Sequence, residues 1–242
     1  MVTDTFLWTR HAVEGRRGCR ANRPGDGCSV GRTLYAKAGF SGGDMWEDIP
    51  RTNGGYHVIL IDPPWPYRQA LLSKKTRGGA AKHYDVLTME EIAALPIPEL
   101  AAGDAQLWLW TTNAHLPTAF ELVRTWGFTY KVMRTWTKTN GFGGGYWLRG
   151  QTEHLLLAIR GNARFWKTGP HGAAGHNVST AILAPRGEHS VKPPRSYADI
   201  EFLSSEPPGL KRLELFTRGR RQGWTWHGNE RSDTVQGVLG GP

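Results

Sequence analysis

An α/β fold with a mostly parallel, doubly wound sheet is what this sequence predicts, and three observations carry the prediction. From Tyr56 onward, short apolar strand-like runs alternate with segments whose apolar residues recur at helical spacing, the pattern of parallel strands joined by crossover helices. At 242 residues the chain has the length of one or two domains. A domain of this size hides roughly 70% of the surface its unfolded chain exposes, so its core needs no covalent staples. The longest apolar runs, Val58–Ile61 and Leu155–Ile159, fall far short of the roughly 20 residues that span a bilayer, so a soluble chain with no membrane partner is expected.

Each element follows in order. Tyr56–Asp62 is a buried strand. Thr88-Met89-Glu90-Glu91 has capping-box spacing, in which a hydroxyl and a carboxylate three residues apart satisfy each other's backbone N–H, and it opens a short helix that Pro96 must stop. Gln106–Thr111 is the next strand. Leu116–Trp126 carries a helical apolar stripe (Leu116, Phe120, Val123, Trp126), and Gly127 closes it. Phe128–Thr137 is a strand, and after the glycine-rich loop Gly141–Gly145 comes another at Glu153–Arg160. The glycine run lacks the helix and spacing of a phosphate fingerprint and reads as a flexible lid on the substrate side. A less regular stretch, Gly161–Glu188, leads to a helix near Tyr197–Leu203, the strand Arg212–Phe216 and an edge strand within Gly223–Glu230. No internal repeat is visible. Residues 44–230 thus form one domain, in which ligands sit beyond the carboxyl ends of the strands. Residues 1–43, with Arg10, Arg16, Arg17, Arg20, Arg23 and Arg32 among glycines and no sustained period, read as a disordered extension, and 231–242 as a flexible tail.

Lysine and arginine number 30 against 21 acidic residues, a formal charge of +9, and the chain carries 11 tryptophans. A basic surface attracts polyanions and aromatic planes stack on unpaired bases, which makes nucleic acid a reasonable partner. The two cysteines, Cys19 and Cys28, lie in the Arg/Gly-rich stretch with no signal-like segment before them, so a reducing cytoplasm is the expected compartment. With His11 they lack the paired close spacing of a zinc site, and no metal is expected. Nothing in the sequence fixes an oligomeric state.

The stretch VILIDPPWPY carries the chemistry. Four branched apolar residues, Val58–Ile61, run into Asp62, Pro63, Pro64 and Trp65. A proline after Asp62 holds that residue out of the helical region, and Pro64 restricts Pro63 in the same way, so the Asp62 carboxylate and the Pro63 carbonyl are fixed in direction. Neither proline has an N–H. Such a corner suits a group with two hydrogens to give, as an exocyclic amine has. The lone pair of the adenine amine is delocalised into the ring; two stationary acceptors favour a more tetrahedral nitrogen whose lone pair points at an electrophile. Trp65 would then stack on the base, a contact worth roughly 1–3 kcal/mol in single-strand binders. A base in a duplex must be flipped out to present that amine. The alternative is a proline-terminated strand whose carboxylate caps a neighbouring helix.

From Tyr56 to Glu230 the sequence resembles the adenine-N(6) amino-methyltransferases of the DPPW type, a family that includes the catalytic subunit of the eukaryotic mRNA adenosine methyltransferase and bacterial and phage DNA adenine methyltransferases. The words that carry the resemblance are DPPW, the LWLW strand, EHLLLAIRGN (Glu153–Asn162), EHSVKP (Glu188–Pro193), LELFTR (Leu213–Arg218) and GWTWHGNE (Gly223–Glu230), in the family's order. The resemblance implies a Rossmann-like methyltransferase fold with S-adenosylmethionine as methyl donor. It implies that Asp62, Pro63, Pro64 and Trp65 form the catalytic corner, with Asp62 also bordering the cofactor. Tyr84 and Glu153, with Trp65, would lie near the target adenosine. Lys192 would meet the methionine carboxylate of the cofactor. Glu214, Phe216 and Arg218 would line its pocket, and Asn229 and Glu230 would bond its ribose or amino-acid end. Two departures stand out: the family's HKP-like word is stretched to His189-Ser190-Val191-Lys192, and Gly219-Arg220-Arg221 follows Arg218 where the eukaryotic enzyme has a histidine nearby.

The segment Tyr67–Tyr84, with Arg68, Lys74, Lys75, Arg77, Lys82 and a Gly78-Gly79 pair, is expected to be a mobile loop that neutralises phosphates beside the corner. The expected function is methyl transfer to the 6-amino group of adenine, in DNA before RNA because the domain is compact. A non-catalytic nucleic-acid-binding scaffold is the main rival; it ordinarily lacks the catalytic word. Methylation of a protein amide fits an asparagine-led NPPY corner better than this one.

Overall fold

The computed structural model describes residues 46–66, 87–144, 147–166, 178–187, 191–217 and 219–228, and the backbone of 168–169 and 172–173. The predicted extension 1–43, the tail, the basic loop to Tyr84, His189, Arg218, Asn229 and Glu230 lie outside the described residues.

Among the described residues one sheet of seven strands dominates. Its strands are β1 (Tyr56–Ile61), β2 (Ala101–Thr112), β3 (Thr129–Lys138), β4 (Thr152–Arg160), β7 (Ala181–Ala184), β8 (Arg212–Leu215) and β9 (Thr225–His227), in the spatial order β7-β3-β4-β2-β1-β8-β9. Two two-residue strands, β5 (Thr168–Gly169) and β6 (Gly172–Ala173), pair only with each other. β1 runs parallel to both β2 and β8, β8 to β9, and β3 to β7, while β4 is antiparallel to β2 and β3. The sheet is therefore mixed and mostly parallel, as expected. The antiparallel strand goes with a connection between β3 and β4 whose described residues include no helix to carry the chain back for a parallel crossover.

Helices cover both faces. α1 (Met89–Ala93), α2 (Ile97–Leu100) and α3 (Leu116–Thr125) lie on one side and α4 (Pro194–Phe202) on the other. Alternation along the strands sorts the core accordingly. Ile59, Ile61, Leu107, Leu109, Leu156, Leu213 and Leu215 pack with Ile92, Ile97, Leu122 and Val123. Their neighbours Val58, Leu60, Trp108, Trp110, Leu155 and Leu157 face Ile200, Leu203 and Trp224. Because β1 is covered on both faces, every residue from Val58 to Ile61 is at most 1% exposed. Each such side chain contributes about 1.5–3 kcal/mol of burial.

The capping box forms as its spacing predicts: the Thr88 N–H donates to Glu91 Oε2 at 2.7 Å and the Glu91 N–H to Thr88 Oγ1 at 3.1 Å. Pro96 ends α1's segment but also serves as N-cap of the short α2, which the sequence reading did not include. In α3 the buried face is Ala119, Leu122 and Val123, with Leu116 and Phe120 at its margin, and Gly127 turns the chain at φ +78°. α4 starts at Pro194, three residues before the expected boundary, since proline's missing N–H and fixed φ suit a first helical turn.

One turn fixes where β1 enters the sheet. Gly55 has φ +78°, and a Cβ there would lie 2.6 Å from the Ala102 nitrogen and 2.7 Å from the Ala101 carbonyl carbon. Both the backbone conformation and the space require glycine. Gly55→Ala is expected to lower the unfolding free energy by about 2 kcal/mol or more, measured as a lower urea midpoint at unchanged slope.

Candidate active site

The carboxyl ends of β1 and β8 lie side by side at the point where the chain leaves β1 for β2 on one flank and later returns to β8 on the other. Open α/β sheets hold their ligands at such a switch point. Asp62 follows β1 there. A cleft beside it is lined by Asp62, Lys192, Tyr197, Glu214, Phe216 and Arg221, among others, with about 430 Å³ of empty space counting the part open to solvent.

The corner itself is rigid. Pro63 is buried and its carbonyl accepts the Trp65 N–H at 2.8 Å, which fixes the carbonyl's direction and leaves it a second lone pair. Trp65 is 5% exposed, and its indole N–H donates to the Trp110 carbonyl on β2 at 3.1 Å. Its ring is stacked on His115, with centroids 5.0 Å apart and planes 17° from parallel. The stacking plane expected for a base is thus occupied on one face by a protein side chain, because a buried indole N–H needs an acceptor and Trp110 supplies it. Burial pushes the His115 imidazole below its ordinary pKa, so the ring is neutral near pH 7. A carbonyl can only accept, so Nε2–H donates to Pro66 O at 3.1 Å, and Nδ1 is left to accept from the Thr112 hydroxyl at 3.0 Å. His115 buttresses the corner and was not legible as a site residue.

Lys192 binds the corner to the neighbouring strands. Its ammonium is 2.9 Å from Asp62 Oδ2 and 3.1 Å from Glu153 Oε2, and it lies 5.4 Å from the centre of the Trp110 ring. Its position follows from α4, which begins two residues later and is pinned to β3 by Asp199, paired with Arg134 at 2.6 Å and Arg195 at 2.7 Å. Glu153, second residue of β4, also meets Lys138 at 2.6 Å. Burial works to raise the Glu153 carboxyl, but Lys192 and Lys138 outweigh it and hold it below the ordinary range. Burial likewise opposes the charge on Lys192, and the two carboxylates overcome it, so its pKa is raised. Asp62, Glu153 and Lys192, predicted from three separate words, are therefore one ion-paired group.

Glu214 on β8 forms the other wall. It is 5% exposed and accepts the Tyr197 hydroxyl at 2.8 Å, and burial pushes its carboxyl up to about 7. Tyr197, overlooked in the sequence, is itself raised well above its ordinary pKa, by burial first and then by Glu214. The Arg221 guanidinium lies 4.0 Å from the Tyr197 ring centre. Phe216 turns the chain with φ +63°, a conformation uncommon for a bulky residue, and the N–H groups of Phe216 and Thr217 both reach the His227 carbonyl on β9, at 2.7 and 3.4 Å. That turn aims Phe216 and Thr217 along the cleft.

The raised Glu214 carboxyl has a consequence for stability. Between pH 4.5 and about 7 the folded chain binds a proton there that the unfolded chain has released, so this group makes stability fall as pH rises through that window, with the full penalty above pH 7. Glu214→Gln keeps an acceptor for Tyr197 without the charge. The variant is expected to exceed the parent by about 3 kcal/mol in unfolding free energy at pH 8, with the difference vanishing near pH 4.

Among the described residues no group of three or more His, Cys, Asp or Glu is placed to hold a metal ion, and no helix is long and apolar enough to cross a membrane.

Comparison with known proteins shows the family. The family model described as MT-A70 matches residues 56–230. The type II methyltransferase M.MunI of Mycoplasma sp. is 31% identical over 205 residues, covering 78% of this chain and 83% of that protein. The N(6)-adenosine-methyltransferase MT-A70-like protein of Arabidopsis thaliana is 28% identical over 187 residues, 73% of this chain and 24% of its own length. The human N(6)-adenosine-methyltransferase catalytic subunit METTL3 is 30% identical over 186 residues, 73% of this chain and 28% of its own length. The chain thus spans most of the Mycoplasma protein and about a quarter of these two eukaryotic relatives.

Proposed function

The chain belongs to the MT-A70 family, and from that premise we propose that this methyltransferase acts on the 6-amino group of adenine in DNA, with S-adenosylmethionine as donor. The observation that carries the reading is the Asp62 carboxylate, held by the buried Lys192 at the end of β1 and facing the cleft bounded by Glu214 and Phe216.

The cleft fits that donor by its chemistry. Glu214 is a buried acceptor suited to ribose hydroxyls, Phe216 is an apolar plane, and Lys192 is a cation within reach of a carboxylate; Arg218, Asn229 and Glu230 are proposed to complete the cofactor contacts. When bound, S-adenosylmethionine supplies an electrophilic methyl on a sulfonium centre. The chain's own residues prepare the amine. Asp62 and the Pro63 carbonyl accept hydrogen bonds from its two N–H groups, the nitrogen becomes more tetrahedral, its lone pair is turned toward the cleft, and the Asp62 carboxylate stands ready to take the proton the nitrogen sheds on methylation. Lys192 holds the Asp62 carboxylate aimed, so no reorganisation is needed as charge develops on nitrogen. Trp65, locked on His115 and Trp110, fixes the floor of the corner. Glu153 and Tyr84 are proposed to lie on the adenosine side.

DNA is favoured over RNA because the match runs through most of the type II methyltransferase, whereas most of the human enzyme lies outside it. The net charge of +9 supports a polyanionic substrate, and a cytoplasmic location accords with it. Labelled donor incubated with adenine-containing DNA and RNA tests the reading. Incorporation into DNA, absent when adenine is replaced, is expected. Labelling of RNA alone would refute the choice of DNA, and labelling of neither would refute the activity.

A further inference from the structure

Lys138 is a charged group at the site to which the transfer described above gives no part. It is the last residue of β3, 14% exposed, with its ammonium 2.6 Å from Glu153 Oε1 and 5.1 Å from the centre of the Trp136 ring. The other oxygen of Glu153 meets Lys192 at 3.1 Å, and Lys192 meets Asp62 at 2.9 Å. Four charges of alternating sign therefore run from the end of β3 to the corner.

The central ammonium is shared. Lys192 sits between two carboxylates and settles where their pulls balance. With Lys138 present, Glu153 already has a counter-charge on its far oxygen and draws less on Lys192. Without it, a largely buried carboxylate has one cation to turn to, and at low local dielectric that attraction is several times its strength in water. Lys192 then moves toward Glu153 and its hold on Asp62 loosens. We propose that Lys138 is a positioning residue for methyl transfer, which neutralises Glu153 from behind so that Lys192 fixes the Asp62 carboxylate. This inference rests on the reading of Asp62 as the acceptor for the amine.

Kinetics on duplex DNA test it. Lys138→Met is expected to lower kcat by roughly ten- to a hundredfold, the scale of a small misplacement of a reacting group, with KM for DNA and donor affinity within about twofold. Lys138→Arg, which keeps the charge, is expected to recover most of the rate, and Lys138→Gln to repeat the loss if the methionine variant folds poorly. The decisive measurement is a double-mutant cycle with Glu153→Gln. Because Lys138 acts through Glu153, removing it in that background is expected to add less than about a twofold loss. An equal further loss in both backgrounds would overturn the proposal. So would a raised KM for DNA with a flatter salt dependence, which marks a lost phosphate contact, or a loss of rate that only follows a lowered unfolding midpoint. Should the parent chain label no nucleic acid, the function reading fails, and the 15N shift of Lys192 Nζ still decides this one: it is expected to move on loss of Lys138 in the parent but not in the Glu153→Gln background, and an unmoved shift in the parent refutes the role.

Discussion

Replacing Asp62 with alanine is expected to lower methyl transfer by a factor on the order of 10³, the loss that follows removal of one preorganised group facing developing charge. Donor affinity, measured by calorimetry, is expected to change by less than about tenfold, because Glu214, Phe216 and Tyr197 still line the cleft. The fold is expected to survive. Asp62 is 30% exposed, and Lys192 retains Glu153 as a partner when it is gone. Unchanged turnover in the variant would remove Asp62 from the chemistry.

The second large effect is on stability as well as rate. Lys192→Met leaves Asp62 and Glu153 facing each other across the space an ammonium held, and breaking a buried pair from one side costs about 3 kcal/mol or more. The sign of its pH dependence follows from Glu153. In the parent this carboxyl lies below its ordinary value of 4.5, so it contributes stability above that pH and loses it as pH falls through the folded value. In the variant that contribution shrinks, since one of the two cations is absent. The gap between parent and variant is therefore expected to be widest near neutral pH and to narrow below about pH 4.5 as the carboxylates protonate, read from urea unfolding across pH. A gap that is flat with pH would mean that packing of the lysine stem, not its charge, is what was lost.

What the sequence shows and what it hides divide along chain separation. The corner is legible because its parts are adjacent: a strand, a carboxylate and two prolines fix each other's directions within a few residues. Glu153, Lys192 and Glu214 are legible one by one, through the words EHLLLAIRGN, EHSVKP and LELFTR that carry the family resemblance. Their meeting is not. Glu153 reaches Lys192 only because β4 inserts antiparallel between β2 and β3, a placement that strand propensity does not encode. Lys138, one polar residue closing a strand, looks like an ordinary solvated lysine until that register is known. Trp65 has neighbours that the sequence does not show. As a sequence word it reads as a plane for a base, whereas the indole N–H is drawn inward to the Trp110 carbonyl and the ring onto His115.

The place of β1 in the sheet also bears on how the protein is made. On one flank its first partners arrive with β2, where Trp65 already bonds to a residue 45 positions on. The other flank waits for β8, as in the His57–Lys211 contact across 154 positions. During translation, at ~5–20 residues per second, an apolar strand edge stays open until β8 emerges, which marks this interval as the one in which nascent molecules associate wrongly. The same delay governs activity. Asp62 is synthesised well before the wall that faces it, Glu214 to Thr217. A ribosome-bound chain lacks this wall of the cleft until β8 has emerged, so the cleft beside Asp62 is completed in one step rather than gradually.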